Sequence, residues 1–161
     1  MVEFGNPPPG MRSIQAYLVC KDAAAAIEFY GKAFGAKEKY RMPMPDGKSV
    51  MHAELTLGDS VLMLSEENPA WGTKSPQTLG GTPVTLHCYV ADVDAMFNQA
   101  VAAGCAVKMP PTDMFWGDRM SSVTDPFGHQ WSIATAVESV APEEMNARAA
   151  KFFANSTGAC S

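Results

Sequence analysis

The sequence predicts an α+β fold in which two βαβββ modules form a curved mixed sheet around a cleft, followed by a C-terminal helix. The first observation behind this prediction is an internal repeat with a spacing of 70 positions. The correspondences include Asp22 with Asp92, Ile27 with Phe97, and Gly58 with Gly128. The second is that strand-like alternation and helix-like spacing follow one another in the same order in both copies. A repeat present only twice indicates two similar modules that together enclose a site.

The first copy contains the elements of one βαβββ module. Residues 14–20 alternate between apolar and polar and predict a strand. Asp22 is a good N-cap, and the helix that follows it is expected to end at Gly35. Three further strands are expected near 37–42, 49–57 and 60–65. Module one therefore covers residues 12–66.

The second copy repeats this plan after a linker at 67–82 that is rich in Pro, Gly, Ser and Thr. Module two covers 83–137, so that 12–137 is one domain. Its expected elements are strands at 84–90, 106–109, 120–124 and 130–136 and a helix from Asp92 to Ala103. The tail at 138–161 contains a helix from Pro142 to about Ala154.

Composition excludes several classes of partner. The chain has 161 residues, a net charge of -5 and a pI near 5.1, which argues against nucleic acid or an anionic membrane as the main partner. We find neither a signal peptide nor an apolar run of the ~18 residues that a membrane span needs, so we expect a cytoplasmic protein. The four cysteines lack Cys-x-x-Cys spacing and are expected to be reduced thiols: Cys20, Cys88, Cys105 and Cys160.

Strand alternation assigns a polar and aromatic face to each predicted sheet. In the strand at 14–20, Leu18 and Cys20 face one way while Tyr17 faces the other. The polar faces carry Gln15, Tyr17, His52, Glu54, Thr85, His87 and Tyr89. Two sheets that meet through these faces would form a cleft rather than a dry core.

Two motifs give the chain a family resemblance. They are the Asp-capped helix with Ile-Glu-Phe-Tyr-x-x-x-Phe-Gly at 27–35, and Asp-Pro-Phe-Gly at 125–128 before the last strand. With the doubled module, they resemble the vicinal oxygen chelate superfamily, also called the glyoxalase/bleomycin-resistance/dioxygenase group. Within it, Met-His-Ala-Glu at 51–54, the loop 115–119 and the C-terminal helix are similar to the PhnB-like branch.

The resemblance implies where a divalent metal would bind. Its metal-dependent members use one side chain from the first and one from the last strand of each module. The matching positions here are Gln15, Leu62, Thr85 and Ser132. Hydroxyl groups are poor ligands for zinc, nickel and iron, and the side chain of Leu62 has no atom that can bind a metal, so we expect no metal cofactor. Without a metal we expect neither glyoxalase I nor extradiol dioxygenase activity. A relocated metal site made of His52, Glu54 and His87 is the alternative.

We therefore expect a metal-independent protein that binds a small, partly aromatic molecule in the cleft. The expected ligand-binding residues are Gln15, Tyr17, Thr85, Tyr89, Phe115, Trp116, Arg119 and Ser132. The alternative is a lyase or isomerase in which Glu54, with a raised pKa, works with His87 or His52. Whether the chain is an enzyme stays open at this stage.

Four structural expectations accompany these hypotheses. The segment from Met109 to Arg119 is either a lid or a rim that closes one end of the sheet. Glu54 is either a base or a partner of Arg119 or Lys48. His129 is expected to be an exposed turn residue or a side chain that braces the backbone, and not a catalyst. Exposed sheet edges favour a homodimer.

Overall fold

The computed structural model describes residues 4–156 and confirms the α+β fold with two βαβββ modules and a C-terminal helix. The first module contains β1 (Ala16–Cys20), α1 (Ala23–Phe34), β2 (Lys37–Pro43), β3 (Val50–Leu57) and β4 (Ser60–Glu66). The connection contains a single 3₁₀ turn (Pro69–Trp71) and α2 (Pro76–Leu79). The second module contains β5 (Thr85–Tyr89), α3 (Val93–Ala103), β6 (Ala106–Asp113), β7 (Asp118–Thr124) and β8 (Gln130–Ala136), and α4 (Pro142–Ser156) follows it.

Each module forms its own four-stranded mixed sheet. The strand orders are β1-β4-β3-β2 and β5-β8-β7-β6, with β1 parallel to β4 and β5 parallel to β8. The faces follow the predicted alternation, because Leu18 and Cys20 are buried while Tyr17 is 50% exposed. One face of each sheet thus packs on helices, and the other presents polar and aromatic side chains.

Both long helices begin where the sequence predicts. The Asp22 carboxylate accepts a hydrogen bond from the backbone N–H of Ala25 (2.8 Å), and Asp92 does the same for Ala95 (2.9 Å). Each bond satisfies one of the N–H groups that the first helical turn leaves unpaired. Helix α1 ends at Gly35, whose left-handed φ of 68° favours glycine.

The segment from Met109 to Arg119 differs from the predicted loop. Strand β6 continues to Asp113 and β7 begins at Asp118, so only residues 114–117 form the turn between them. Pro110 and Pro111 are tolerated because β6 is an edge strand, and its register with β7 skips from Met109 to Thr112. The lid of the sequence prediction is therefore a short hairpin turn.

Helix α4 covers this turn within the same chain. The ring of Phe115 lies 5.3 Å from that of Phe152 and 6.4 Å from that of Phe153. The chain leading to α4 is fixed by Gly117, whose carbonyl accepts the N–H groups of Val137 and Glu138 (both 2.9 Å). None of the helices within residues 4–156 is long and apolar enough to cross a membrane.

The connection between the modules is ordered by Glu67. Its carboxylate accepts hydrogen bonds from the backbone N–H and hydroxyl of Ser75 (3.0 and 2.8 Å) and from the Thr78 hydroxyl (2.7 Å). These bonds lower the pKa of Glu67 to about 2. They hold α2 in place, and Pro76 of that helix packs so closely on Gly128 that a Cβ there would lie 2.9 Å from it.

A buried carboxylate, Asp125, joins the two modules. Its Oδ2 accepts hydrogen bonds from the hydroxyl of Tyr30 in α1 and from Nε1 of Trp131 in β8, both at 2.9 Å. Its Oδ1 accepts the backbone N–H groups of Phe127 and His129, also at 2.9 Å. Because Asp125 is only 4% exposed, these four donors replace the water that a carboxylate needs.

Aromatic packing surrounds this carboxylate. The ring of Phe34 stacks on Trp131 with centroids 4.3 Å apart, and Phe29 meets Phe127 edge to face at 5.7 Å. Helix α1 therefore contacts the second module as well as its own sheet. Gln99 of α3 adds a bond from its side-chain amide to the carbonyl of Lys32 (2.9 Å), so the two helices also contact each other.

His129 is not an exposed turn residue, and of its two expected roles the structure favours the backbone brace, because its side chain hydrogen-bonds the backbone of Val19. Its side chain is buried, at 7% exposure, and Nε2 lies 3.7 Å from Sγ of Cys20. Burial lowers the pKa of His129, although the nearby Asp125 acts in the opposite direction. The turn at 125–128 is folded inward by the Asp125 hydrogen bonds, and this carries His129 into the core.

The cysteines in the described residues are free thiols. Cys20, Cys88 and Cys105 form no disulfide, and burial raises the pKa of Cys20 to about 12. A thiol with this pKa remains protonated at neutral pH and is a poor nucleophile. The expectation for Cys160 falls outside the described residues.

Removing the Asp125 carboxylate should destabilise the fold strongly. We expect Asp125→Ala to cost more than about 3 kcal/mol, because it leaves several buried donors unpaired, and Tyr30→Phe about 1–2 kcal/mol. Urea unfolding measures both, with Asp59→Ala as the control, because Asp59 is an exposed carboxylate paired with Arg12. A loss below about 1 kcal/mol for Asp125→Ala would show that the carboxylate is not needed.

The Glu67 network should make stability depend on acid pH. A carboxylate with a depressed pKa stabilises the fold fully above its unfolded value of 4.5, and the effect is lost as pH falls toward the folded value of about 2. The difference in Tm between the wild type and Glu67→Gln should therefore be constant from pH 7 to 5 and shrink steadily at lower pH. Thermal unfolding followed by circular dichroism tests this, and a difference that grows on acidification would contradict it.

Candidate functional site

A cavity of about 660 Å³ lies between the start of β1 and the end of β5. Gln15, His87 and Tyr89 supply polar groups to its wall. Phe34 and Trp131, which stack on each other, form part of its apolar lining. Ligand sites in proteins combine these features, since an apolar wall provides affinity and a few polar groups fix orientation.

His87 is held in place by two neighbours. Its Nδ1 lies 2.9 Å from the hydroxyl of Ser132 on the adjacent strand, and its ring meets Tyr89 edge to face at 4.9 Å. The register of β5 with β8 explains this, because His87 and Ser132 are direct partners. With Nδ1 engaged, Nε2 is the nitrogen of His87 left for a ligand.

Tyr89 is oriented by a buried carboxylate that the sequence did not identify as part of the site. Its hydroxyl donates to Oδ2 of Asp118 (3.1 Å), which also accepts Nε1 of Trp116 (3.0 Å). Asp118 is 8% exposed, and its hydrogen bond raises the pKa of Tyr89. Tyr89 therefore presents a neutral phenol whose proton is already donated.

The positions expected for a metal do not form a suitable donor set. Strand register changes one of these positions. In the second module His87 pairs with Ser132, and in the first module the equivalent residue, Tyr17, pairs with Met63. Leu62 pairs instead with Ala16. Leu62 is accordingly buried among core residues, at 5% exposure. The repeat slips by one residue in the last strand, and this slip made Leu62 the wrong choice.

The corrected set contains the Gln15 amide, the Met63 thioether and the hydroxyls of Thr85 and Ser132. Divalent zinc, nickel and iron are held in proteins mainly by imidazole, thiolate and carboxylate groups, and this set contains none of them. The amide of Gln15, oriented to satisfy both of its polar atoms, donates to the carbonyl of Val61 (3.1 Å). These residues do not fit the metal that the resemblance implies.

The alternative metal site is not assembled either. Among residues 4–156, no group of three or more His, Cys, Asp or Glu side chains is placed to hold a metal ion. His52 and Glu54 lie on β3 of the first module, whereas His87 lies on β5 of the second with its own partner, Ser132. The proposed trio therefore does not come together in the described chain.

Glu54 is an ion-pair partner and not a carboxylate with a raised pKa. Lys39 of β2 donates to Glu54 at 3.0 Å, and this bond lowers the pKa of the carboxyl group. The sequence anticipated such a partner but named Lys48 or Arg119. Lys39 takes the position because Glu54 pairs with Tyr40, so that the two strands bring residue 39 beside it.

The predicted lid residues contact other parts of the chain. Arg119 donates to Asp94 of α3 (2.7 and 2.9 Å) and to Asp113 (2.9 Å), so its guanidinium is already paired. Phe115 packs against α4, and Trp116 donates to Asp118. None of the three lines the cavity described above.

Comparison with known proteins decides the family. Residues 12–133, which make up most of the chain, match the Glyoxalase/Bleomycin resistance protein/Dioxygenase superfamily. The chain belongs to this superfamily. An uncharacterized protein of Mycobacterium tuberculosis is 47% identical over 138 residues, which cover 84% of this chain and 81% of that protein. A protein of Mycobacterium bovis named putative glyoxylase CFP32 is 33% identical over 109 residues, 66% of this chain and 39% of that protein.

Solved structures of other proteins have the same fold. The crystal structure of TioX from Micromonospora sp. ML1 has a TM-score of 0.61 and 26% identity, covering 77% of this chain and 98% of that one. A glyoxalase/bleomycin resistance protein/dioxygenase from Nocardioides has a TM-score of 0.58 and 21% identity, covering 86% and 89% of the two chains. The second similarity supports the fold alone.

The contact between Tyr89 and Asp118 gives a spectroscopic prediction. Asp118→Asn removes the negative charge that raises the pKa of Tyr89, so this pKa should fall toward the usual value of 10.0. The ¹³Cζ shift of the tyrosine rings, followed by NMR as pH rises, measures it. Asp113→Asn, which changes an exposed carboxylate on the neighbouring strand, should leave the Tyr89 titration unchanged. An identical Tyr89 titration in the Asp118 variant would contradict the assignment.

Proposed function

We propose that this superfamily member is a metal-independent binding protein that holds a small, partly aromatic molecule between its modules. The cavity of about 660 Å³ supports the proposal, because it has an apolar wall and polar side chains that include Gln15, His87 and Tyr89. A volume of this order is typical of sites for drug-sized molecules. The exposed rings of the site also suit an aromatic ligand, because Tyr89 and His87 offer an edge-to-face pair against which a flat molecule can pack.

The available donor groups support binding without a metal. Gln15 and His87 can exchange hydrogen bonds with a ligand, and the Tyr89 oxygen can accept one because its proton is given to Asp118. These groups can orient a ligand through hydrogen bonds. We also assign the chain to the PhnB-like branch, on the residues at 51–54, the turn at 115–119 and the C-terminal helix.

A metal-dependent lyase is the second candidate, favoured by the similarity to the protein named putative glyoxylase CFP32. That similarity reaches only 39% of the relative's length. The hydroxyl and thioether groups at the expected metal positions count against it. Elemental analysis of protein purified without added metal separates the two candidates, since a stoichiometric divalent metal would favour the lyase and contradict our proposal.

Ligand binding should depend on the side chains that line the cavity. We expect at least one member of a panel of aromatic acids, phenols and amines to bind. At a concentration of about 100 times its Kd, this compound should raise Tm by several degrees. Gln15→Ala and His87→Ala should each weaken binding of that compound by about 10-fold, the effect of one lost hydrogen bond. Isothermal titration calorimetry measures the change.

Thr85→Ala is the matched control. Thr85 precedes His87 by two residues on the same exposed face of β5, and it is not part of the cavity wall. The Thr85→Ala variant should bind the compound with the same affinity as the wild type, in the presence or absence of EDTA. Equal losses in all three variants, or binding that disappears with EDTA, would contradict a metal-independent site at this cavity.

A further inference from the structure

A smaller cavity is the counterpart, in the internal repeat, of the cavity of about 660 Å³, which we call the large cavity. The small cavity has a volume of about 210 Å³ and is lined in part by β1 and by the segment that leads into β5. The large cavity is lined in part by β5 and by the segment that leads into β1. Six wall positions of one cavity match wall positions of the other at the repeat spacing of 70, and they pair Arg12 with Thr82, Ile14 with Val84, Ala16 with Leu86, Tyr17 with His87, Leu18 with Cys88, and Val19 with Tyr89. The two cavities are therefore equivalent spaces between the modules.

The linker closes one side of the small cavity. Four of its residues line this cavity, namely Lys74, Pro76, Leu79 and Gly81. Pro76 is buried and packs on Gly128, in the turn between β7 and β8. The side-chain amide of Gln77 donates to the carbonyl of Pro126 in the same turn (2.9 Å). The linker is thus held against the second module by an apolar contact and a hydrogen bond.

The counterpart of the linker at the large cavity is the segment 4–11, which we call the N-terminal strap. Its residues at the repeat spacing from the four linker residues are Phe4, Asn6, Pro9 and Met11, and none of them lines the large cavity. Residues 4–10 are all exposed, so Asn6 lies in solvent where its counterpart Pro76 is buried. A Cβ on Gly58, in the turn between β3 and β4, would meet no atom beyond its chain neighbours within 4 Å. The large cavity therefore lacks the wall that the linker gives to the small one.

The strap has the geometry needed to reach the large cavity. Gly10 has a φ of 81°, in the left-handed region that glycine adopts freely, and Gly80 at the equivalent position of the linker has the same φ. Two residues later, Arg12 lies in the wall of the large cavity and its guanidinium is 3.2 Å from Asp59. The seven residues 4–10 can extend over about 20 Å, which exceeds the diameter of about 11 Å of a sphere with the volume of the large cavity.

The prolines at 7–9 make closure of the strap less costly. Each proline ring fixes φ, and the residue before a proline is restricted to extended conformations. A segment that is already restricted loses less conformational entropy when it packs against another surface. Gly10 is the flexible position that follows this stiff segment, so the strap can turn there as a unit.

We propose that the N-terminal strap is the missing wall of the large cavity and closes over the bound ligand, with Phe4 as a specificity-determining residue. This inference rests on the binding function proposed above. Phe4 is 82% exposed, and its counterpart Lys74 lines the small cavity. Closure removes the phenyl ring from water, which drives the movement. A flat ligand between Phe4 and the apolar wall that contains Phe34 and Trp131 is then contacted on both faces, so the strap selects aromatic molecules.

Binding measurements test the role of Phe4. The probes are 2-naphthoate and 2-naphthol, a flat acid and a flat phenol, and isothermal titration calorimetry measures their affinity for the full-length protein. We expect Phe4→Ala to weaken binding by about 10-fold, because the buried ring is lost, and Phe4→Leu to weaken it less, because leucine remains apolar. Trp71→Ala is the matched control and should bind as the wild type does, since Trp71 is an aromatic side chain, 61% exposed, that lines neither cavity.

Trypsin cleavage reports the position of the strap directly. Arg12, at the base of the strap, is exposed, so trypsin should cleave after it in the free protein. Saturation with a probe should slow this cleavage by about 10-fold in the wild type, because proteolysis follows the small fraction of molecules in which the strap is open. The protection should be lost in Phe4→Ala. Cleavage after Lys48, in the exposed turn between β2 and β3, is the internal control and should not change.

The outcomes separate this inference from the binding function. If a probe binds equally tightly to the wild type and Phe4→Ala, and cleavage after Arg12 is unchanged, the strap proposal is overturned and the binding function stands. An equal loss of affinity in Trp71→Ala would also overturn the strap proposal. If neither probe binds the wild type, both proposals fail together.

Discussion

The buried carboxylate of Asp125 is the interaction on which the arrangement of the two modules depends. It accepts four hydrogen bonds, one of which comes from Tyr30 in the other module. A charge removed from water in this way is tolerated only with complete pairing, so the position of each donor is fixed. The aromatic contacts around it then bring α1 onto the second sheet, and the large cavity lies where the first strands of the modules face each other.

The fold was predictable because its signals are local and repeated. N-caps at Asp22 and Asp92, turn glycines and period-two alternation each reflect short-range physics, and the repeat supplied every signal twice. The sequence-based prediction failed where contacts between distant parts of the chain determine the length of a strand or the burial of a side chain. The edge position of β6 allowed two prolines within a strand, and inward folding of the turn at 125–128 buried His129.

The candidate site was only partly predictable. Alternation correctly indicated which face carries Gln15, His87 and Tyr89, and these three share one cavity. It could not reveal partners on other strands, such as Asp118 behind Tyr89 or Lys39 beside Glu54, because strand register is not readable from a single sequence. The same limitation placed Leu62 instead of Met63 on the exposed face.

A double-mutant cycle tests whether the contact between Tyr30 and Asp125 couples the two modules. The free energy of unfolding would be measured for the wild type, Tyr30→Phe, Asp125→Ala and the double variant. We expect a coupling energy of about 1–2 kcal/mol, because Tyr30→Phe costs little once its acceptor is absent. Additive effects, within about 0.3 kcal/mol, would show that the two side chains stabilise the protein independently and would contradict the claim.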